Sequence, residues 1–289
     1  MSLRFPSVLV LLVANFVLAQ APATQRTVLR VAADPNNLPF SNEKGEGLEN
    51  RLAELIAADL GLKVEYVWHA QRRGFFRETL KEGDADVVMG VPAHFDRALT
   101  TSPYYRSTYV FVTRQTSGIH VSSFDDALLR RVKVGVHLTG EDNPPPAQAL
   151  GRRNIFANVS GYSLYGNYAE PNPPARIIDA VAHGDIDIAI VWGPLAGYFA
   201  KQSAVPLNVN PVSPQIDTPN LPMAFSVSVG VRKRDAALRD QIDQVLHRRQ
   251  VEVRKLLEEY GVPIVAGEDH PARDDDDDDE RVKSAGCCE

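Results

Sequence analysis

The chain has 289 residues, of which 44% are hydrophobic and 24% are charged, so it can bury one or two substantial cores and is not disordered as a whole. Its formal net charge of −6 is concentrated at the C-terminus, where residues 267–289 hold ten acids and three bases. The remaining body is close to neutral and has no basic stripe. This charge distribution argues against a nucleic acid partner.

Residues 1–19 have the pattern of a Sec-type signal peptide that is cleaved after Ala19. Arg4 supplies the positive charge, and residues 8–18 supply the apolar stretch. That stretch is shorter than the roughly 20 apolar residues of a membrane helix. We therefore expect a periplasmic protein without stable membrane insertion.

The first half of the body alternates between strand and helix patterns, which predicts a βαβαβ beginning. The apolar run at 87–89 is typical of a parallel strand that is covered on both faces. Ligands gather at the carboxyl ends of such strands, so the loop at 90–97 is a candidate site. The predicted elements are a strand at 27–33, a turn-rich loop at 34–40, a helix from 47 to 61, a strand at 64–68, a helix at 74–82 and a strand at 87–89.

One passage of the sequence occurs twice. The motif GDADVVMGVP at 83–92 reappears as GDIDIAIVWGP at 184–194, at a separation of 101 residues. This separation is too long for a solenoid repeat but suits two α/β lobes built on one plan, with a cleft between them.

The second half begins with polar composition and then repeats the alternation. We place lobe one at residues 27–112 and 223–266 and lobe two at 113–222, and we expect residues 267–289 to form an acidic, disordered tail. The predicted elements are a capped helix at 122–129, a strand at 132–136, a stiff polar loop at 141–146, a proline-rich crossing at 203–222, a strand at 225–231 and a helix at 235–257.

The pattern of motifs resembles the family 3 periplasmic solute-binding proteins, two-lobed receptors that mostly deliver amino acids to membrane transporters. The resemblance rests on RVAADPN at 30–36, GDADV at 83–87, SPYY at 102–105 and YGVP at 260–263. More narrowly, FDR at 95–97 and PYYRSTYVFV at 103–112 are similar to the MoxJ-like branch, which is associated with quinoprotein methanol dehydrogenases. This resemblance implies the type II periplasmic-binding-protein fold.

The resemblance also implies a function. It suggests an accessory protein of methanol oxidation that binds, or helps to mature, a PQQ-dependent methanol dehydrogenase through the cleft, with a c-type cytochrome as a further possible partner. Two alternatives stay open. One is the receptor of an ABC transporter for a small solute other than an amino acid, and the other is an enzyme, because related lobes can host dehydratases.

Two departures from the family pattern disfavour an amino-acid ligand. The second lobe's strand ends in VWGP at 191–194, where amino-acid receptors of the family have an acid for the ammonium. A closed cleft that holds an ammonium without a countercharge would be costly. Arg97 lies closer to the Pro-Tyr-Tyr element than the carboxylate-binding arginine of the family does.

The candidate cleft residues come from the predicted strand ends and the loops that follow them. Arg97 suits either an anion or an ordinary surface pairing, and Trp192 suits either a stacking platform or a wedge between the lobes. The tyrosines at 104, 105, 109, 162 and 165 suit either an aromatic binding surface or the core. The predicted cleft residues are Asp34, Asn37, Phe40, Pro92, Arg97, Tyr104, Tyr105, Thr139 and Trp192.

We find no pattern for catalysis, for a cofactor or for a metal. The seven histidines lack the paired spacing of a zinc site, and no nucleophile stands in a catalytic motif. We interpret Asp84 and Asp86 as solvated residues at a strand edge. The acidic run at 274–280 lacks the spaced ligands and the turn glycine of a calcium loop. The sequence therefore predicts a binding protein and not an enzyme.

Overall fold

The computed structural model describes residues 26–139, 143–164 and 168–267. The predicted signal peptide, residues 1–19, lies outside the described residues, as does all of the predicted tail after Gly267. Within the described residues the chain is a mixed α/β protein with two lobes.

Most of the strands join one long, curled sheet. Its main path runs β4-β1-β5-β14-β7-β10-β8-β9, with β6 added beside β14 and β11 added beside β7. Two short hairpins, β2-β3 and β12-β13, stand apart from it. The strands are β1 (Val28–Ala33), β2 (Asn36–Asn37), β3 (Ser41–Asn42), β4 (Lys63–Trp68), β5 (Val87–Pro92), β6 (Leu99–Thr100), β7 (Tyr105–Arg114), β8 (Val134–Leu138), β9 (Val159–Ser163), β10 (Ile188–Trp192), β11 (Leu207–Pro211), β12 (Ile216–Asp217), β13 (Leu221–Pro222) and β14 (Ala224–Val231).

Helices pack on the sheet and bury its apolar residues. In the first lobe, α1 begins after Gly47, whose N–H is accepted by the Asn50 side chain at 3.1 Å, and its Leu52 and Ile56 enter the core between sheet and helices. The helices are α1 (Leu48–Asp59), α2 (Pro145–Arg152), α3 (Arg176–His183), α4 (Gly193–Gln202), α5 (Ala236–Arg248) and α6 (Gln250–Glu259).

The two lobes share strands β7 and β14. Residues 105–108 of β7 pair with β14, whereas residues 109–113 of the same strand pair with β10. The second part of β14 pairs instead with β5. The chain therefore passes from one lobe to the other within continuous strands. Our lobe boundaries near residues 112 and 223 remain a prediction.

The internal repeat has the same local structure in both copies. Gly83 and Gly184 both have positive φ, at 94° and 85°, which glycine tolerates best. Four residues later a parallel strand begins in each copy: β5 pairs with β1, and β10 pairs with β8. The prediction of two lobes built on one α/β plan is confirmed.

The second acid of each repeat joins its strand to the neighbouring one. Asp86 accepts the N–H of Arg30 at 3.0 Å, and Asp187 accepts the N–H of Lys133 at 2.9 Å. Asp86 also forms ion pairs with the guanidinium groups of Arg26, Arg30 and Arg232. Burial raises the pKa of Asp86, but the hydrogen bonds from Arg30 and the charges of Arg26 and Arg232 outweigh burial and lower the pKa overall.

This network corrects our interpretation of the acid pair at 84 and 86. Asp84 is exposed, as expected for a residue at a strand edge, but Asp86 is buried and only 3% exposed. The sequence pattern could not separate the two acids, because both precede the strand that begins at Val87, and strand alternation assigns residues two apart to the same face.

Several predicted helices have different lengths in the structure. Residues 74–82 contain only a short helical turn with a π-helical segment at Arg77–Lys81, and residues 122–129 give way to a 3-10 turn at Ala127–Arg130. The long C-terminal helix is divided into α5 and α6 at Arg249. Pro145, which we assigned to a loop, starts α2, because the first turn of a helix tolerates proline.

Candidate functional site

A cavity of about 340 Å³ lies between the lobes, beside the shared strands. Its walls come from the first strand-end loop and α1, from the ends of β5 and β10, and from β7 and β14. Apolar and aromatic side chains dominate, with a few polar groups among them, as is usual for sites that bind small molecules. The lining residues are Asn37, Phe40, Glu49, Gln71, Gly90, Pro92, Tyr105, Tyr109, Leu164, Trp192, Phe225, Ser226 and Val227.

Trp192 is the centre of an aromatic cluster on one wall. Its ring lies edge-on to Tyr109 at 5.4 Å and to Phe225 at 6.0 Å between centroids. All three rings are half-buried, so part of each faces the cavity. These separations lie within the range of favourable aromatic contacts, so the three rings support one another and present a stiff surface.

Glu49 places a carboxyl group against this cavity. It stands in the first turn of α1, and its side chain is half-buried. Burial raises its pKa to about 8, and the charge of Asp34 adds to the effect. No basic side chain lies among the described residues that line the cavity. The carboxyl therefore lacks the countercharge that normally accompanies a buried acid.

Gly90 makes room for this carboxyl. Its φ is +69°, and a Cβ at this position would stand 2.0 Å from Oε1 of Glu49. A side chain here would displace the carboxyl of Glu49 from its present position and would be strained by the backbone. The end of β5 is thus shaped to accept an acid from the helix behind it.

Two hydrogen bonds connect the lobes at the rim of the cleft. The Tyr168 hydroxyl donates to Oδ2 of Asp34 at 2.7 Å, and Nδ2 of Asn36 donates to the carbonyl oxygen of Glu170 at 2.8 Å. Burial, followed by the hydrogen bond to Asp34, raises the pKa of Tyr168. Asp34 also accepts the backbone N–H of Gln71, so its carboxylate is held in place. These contacts keep the cleft closed in this structure.

Five of the nine predicted cleft residues line the cavity. The structure brings together Asn37, Phe40, Pro92, Tyr105 and Trp192. Tyr105 is only 7% exposed and belongs to the core of the first lobe as well, so the two open interpretations of this tyrosine both apply.

The other four predicted residues lie elsewhere. Asp34 is at the rim, and Thr139 follows β8 without reaching the cavity. Tyr104 contacts Tyr105 and lines a second groove of about 730 Å³ along α5 and α6, which Tyr105 also lines. Tyr165, from our set of candidate tyrosines, is outside the described residues.

Arg97 is placed well away from the cleft. It lies on a basic groove of about 530 Å³ that shares no residue with the interlobe cavity. The groove gathers cationic side chains from three parts of the chain, so Arg97 is positioned for that surface and not for a ligand between the lobes. The basic residues of this groove are Arg77, Lys81, Arg97, Arg232, Lys233 and Arg234.

The most informative residue that sequence reasoning missed is Glu49. A signal for it was present, because positions 49, 52, 53 and 56 share one face of a helix and the last three are buried apolar residues. An acid on an apolar helix face is unusual and often functional. Gln71 and Phe225 had no comparable signal, because only the tertiary fold brings them to the cavity.

Comparison with known proteins identifies the family. The model of the bacterial extracellular solute-binding proteins, family 3, matches residues 29–262. The chain belongs to this family. The fold is accordingly that of the type II periplasmic binding proteins, and the family indicates a binding protein without catalytic activity.

Within the solute-binding family the chain is similar to MoxJ proteins. It is 31% identical to protein MoxJ of Methylorubrum extorquens over 256 residues, which span 86% of this chain and 85% of that protein. Among solved structures, periplasmic binding protein XoxJ from Methylobacterium extorquens AM1 is 33% identical, with a TM-score of 0.67 over 83% of this chain and all of that one. MxaJ from Methlophaga aminisulfidivorans is 25% identical, with a TM-score of 0.72 over 82% of this chain and all of that one. The predicted resemblance to the MoxJ-like branch is confirmed.

Two features are not found among the described residues of this solute-binding protein. No group of three or more His, Cys, Asp or Glu side chains is arranged to hold a metal ion in that part of the chain. None of the helices there has the length and apolar character required to span a bilayer. The lining of the cavity offers one carboxyl, side-chain amides, hydroxyls and aromatic faces, which suit the binding of a ligand.

Proposed function

We propose that this solute-binding protein is a periplasmic accessory protein of methanol oxidation, and that it binds a PQQ-dependent methanol dehydrogenase through the interlobe cleft. Its similarity to MoxJ over most of both chains supports the role. Its membership of an extracellular family, together with the predicted signal peptide at 1–19, supports the periplasmic location.

One observation supports the cleft as the surface that binds the dehydrogenase. One of the stretches that carry the resemblance to the MoxJ-like branch, residues 103–112, forms most of β7, and β7 supplies Tyr105 and Tyr109 to the cavity. With Trp192 and Phe225 they form an aromatic wall at the junction of the lobes. Tyrosine and tryptophan are common anchors of protein interfaces, because they give a large contact area with few rotamers.

The test is to truncate Trp192, which is half-buried and faces the cavity. We expect Trp192→Ala to weaken binding of the co-purified dehydrogenase by about 2 kcal/mol, roughly thirtyfold, as measured by calorimetry. Tyr105 is a poor choice for this test, because it is buried in the core and its loss would damage the fold.

Phe156→Ala is the matched control, because Phe156 is an aromatic residue that is 63% exposed and does not line the cavity. It should leave the affinity for the dehydrogenase unchanged. If Trp192→Ala folds and binds the dehydrogenase as tightly as Phe156→Ala does, the partner surface is elsewhere on the protein. If the unaltered protein does not bind the dehydrogenase at all, the accessory role is wrong.

A second function is favoured by the size of the cavity. A volume of about 340 Å³ lies in the usual range for sites that enclose a small molecule. The rim contacts of Asp34 and Asn36 close the cleft over it, as a transport receptor does around its solute. The alternative function is therefore the substrate-binding receptor of an ABC transporter for a small solute that is not an amino acid.

A further inference from the structure

The charge of the interlobe cavity is one-sided. Glu49 is the one acid among the described lining residues, and no Lys, Arg or His accompanies it there. A free amino acid brings a carboxylate and an ammonium into a cleft, and here only the ammonium would find an opposite charge. A buried, unpaired carboxylate is costly, so this arrangement selects against ligands that carry one.

The remaining lining is aromatic to an unusual extent. Five of the side chains around the cavity are aromatic, and the cluster centred on Trp192 stands among them. The negative faces of such rings attract cations, most strongly when the cation is poorly hydrated, as alkylated ammonium ions are. The aromatic lining residues are Phe40, Tyr105, Tyr109, Trp192 and Phe225.

We propose that the interlobe cavity binds a small alkylammonium ion without a carboxylate, with Glu49 as its counterion and the aromatic side chains as its cage. The carboxylate offsets the cost of removing the cation from water, and the rings replace its hydration shell. Methyl or longer alkyl groups on the nitrogen would fill apolar space beside Leu164 and Pro92, which ammonium itself would leave empty.

The position of Glu49 supports this role, because the protein makes room for the carboxyl. Gly90, whose φ of +69° suits glycine, leaves Oε1 the place that a Cβ would otherwise take beside β5. Burial raises the pKa of the Tyr104 and Tyr105 hydroxyls, and the charge of Glu49 adds to the rise. Tyr105 and Glu49 both line the cavity. The acid is thus held against the aromatic wall and away from any basic side chain of the lining.

The experiment compares choline with neohexyl alcohol, its uncharged carbon isostere of the same shape. Calorimetry on the purified protein, above the Glu49 pKa of about 8, should give a Kd for choline or tetramethylammonium below about 1 mM. Neohexyl alcohol should bind at least about tenfold more weakly, and so should glycine betaine, which adds a carboxylate to the same cation.

Two variants separate the counterion from the cage. Glu49→Gln should weaken choline binding at least about tenfold, whereas Glu54→Gln, an exposed acid on the same helix, should not change it. Trp192→Leu keeps an apolar wall but removes the indole, and it should weaken choline roughly two- to thirtyfold without weakening neohexyl alcohol to the same degree.

Equal affinity for choline and neohexyl alcohol would overturn the proposal, and so would unchanged choline binding by folded Glu49→Gln. Absence of binding by both tetramethylammonium and choline would overturn it too. The cation site rests on the proposed receptor function, for which it specifies the class of solute. It does not depend on binding of the dehydrogenase. Because the dehydrogenase is absent from this assay, a failure here leaves the accessory role standing, and a failure to bind the dehydrogenase leaves the cation site standing.

Discussion

The strands that lead to Gly90 and to Trp192 begin alike and end differently. Both start after a glycine of positive φ, and in both the second acid of the repeat bonds to the backbone of the neighbouring strand. At the far end the copies diverge. Strand β5 has a glycine two residues before its end, at Pro92, and this glycine lies beside the carboxyl of Glu49, whereas β10 ends at a tryptophan followed by the first turn of α4.

This difference shows how a repeated scaffold carries a site that is not repeated. The common beginnings fix where each strand lies in the sheet. The separate ends bring an acid from the first lobe and an aromatic side chain from the second to the lining of one cavity. A site at the junction of two similar lobes is then chemically asymmetric, which lets it orient a ligand that has one charged end.

The largest effect on stability is expected where the two repeated strands, β5 and β10, begin. Asp86→Ala should lower the free energy of unfolding by roughly 3 kcal/mol, because it leaves the arginines around a buried carboxylate without their partner. Asp187→Ala should cost roughly 1 kcal/mol, because that carboxylate is 31% exposed and its ion pair with Arg114 is long, at 3.5 Å. Urea denaturation of both variants measures the difference.

Equal losses of unfolding free energy in Asp86→Ala and Asp187→Ala would contradict the expected difference between the two acids. They would mean that the shared backbone hydrogen bond of each acid, and not the arginines around Asp86, carries the stabilisation. Asp86→Asn helps to decide between these causes, because it keeps a side-chain acceptor for the N–H of Arg30 and removes the charge. We expect it to recover only part of the loss.

The next largest effect concerns the end of β5. Glu49→Gln should stabilise the protein by roughly 2 kcal/mol at alkaline pH, less than the full rise in pKa implies because the side chain is only half-buried, and it should have little effect below pH 4.5. Between pH 4.5 and about 8 the unfolded chain releases a proton that the folded protein retains on Glu49, so the folded state of the parent loses stability as the pH rises. Glutamine has no proton to release and avoids this loss.

Thermal melting of both proteins across this pH range measures the effect. Glu54→Gln serves as the control, because Glu54 is exposed on the same helix and should show no such trend. A Glu49→Gln protein whose stability relative to the parent does not change with pH would mean that the carboxyl is better solvated than its position indicates.

Much of this architecture was predictable, because the sequence patterns that reveal it lie within single strands and helices. Periodicity and the two copies of Gly-Asp-x-Asp located β1, α1, β5 and β10, because a covered parallel strand and an amphipathic helix leave a clear pattern. Trp192 and Phe40 were predicted for the cleft because they stand at strand ends or in the loops that follow them.

The rest of the site depends on contacts between distant segments. Arg97 follows β5 in the sequence, yet the chain turns it toward the basic groove near Arg232, and no local rule predicts that direction. Phe225 reaches the cavity only because β14 crosses between β5 and β7. Glu49 is the exception, since its place on an apolar helix face was visible in the sequence.

A smaller effect on stability is expected at the rim of the cleft, where the side chains of Tyr168 and Asp34 connect the two lobes. Tyr168→Phe removes the hydroxyl that donates to Asp34 and should lower the free energy of unfolding by about 1 kcal/mol. Small-angle scattering should show a more open average shape if this bond holds the lobes together. Stability and shape both unchanged would assign the closure to β7 and β14 alone.

The smallest effect tests the helix that follows Trp192 and has no counterpart after Gly90. The Lys201 ammonium on α4 donates to the last carbonyl oxygens of α6, at 2.6 Å to Glu258 and 3.2 Å to Glu259. A cation at a helix C-terminus is stabilising, but Lys201 is exposed, so Lys201→Met should cost only about 0.5 kcal/mol. The cost should fall at high salt, because exposed charges are screened. Urea denaturation at low and high salt measures it, with Phe156→Ala as a control that is insensitive to salt. A loss in Lys201→Met that persists undiminished at high salt would mean that packing of the lysine stem, and not its charge, joins α4 to α6.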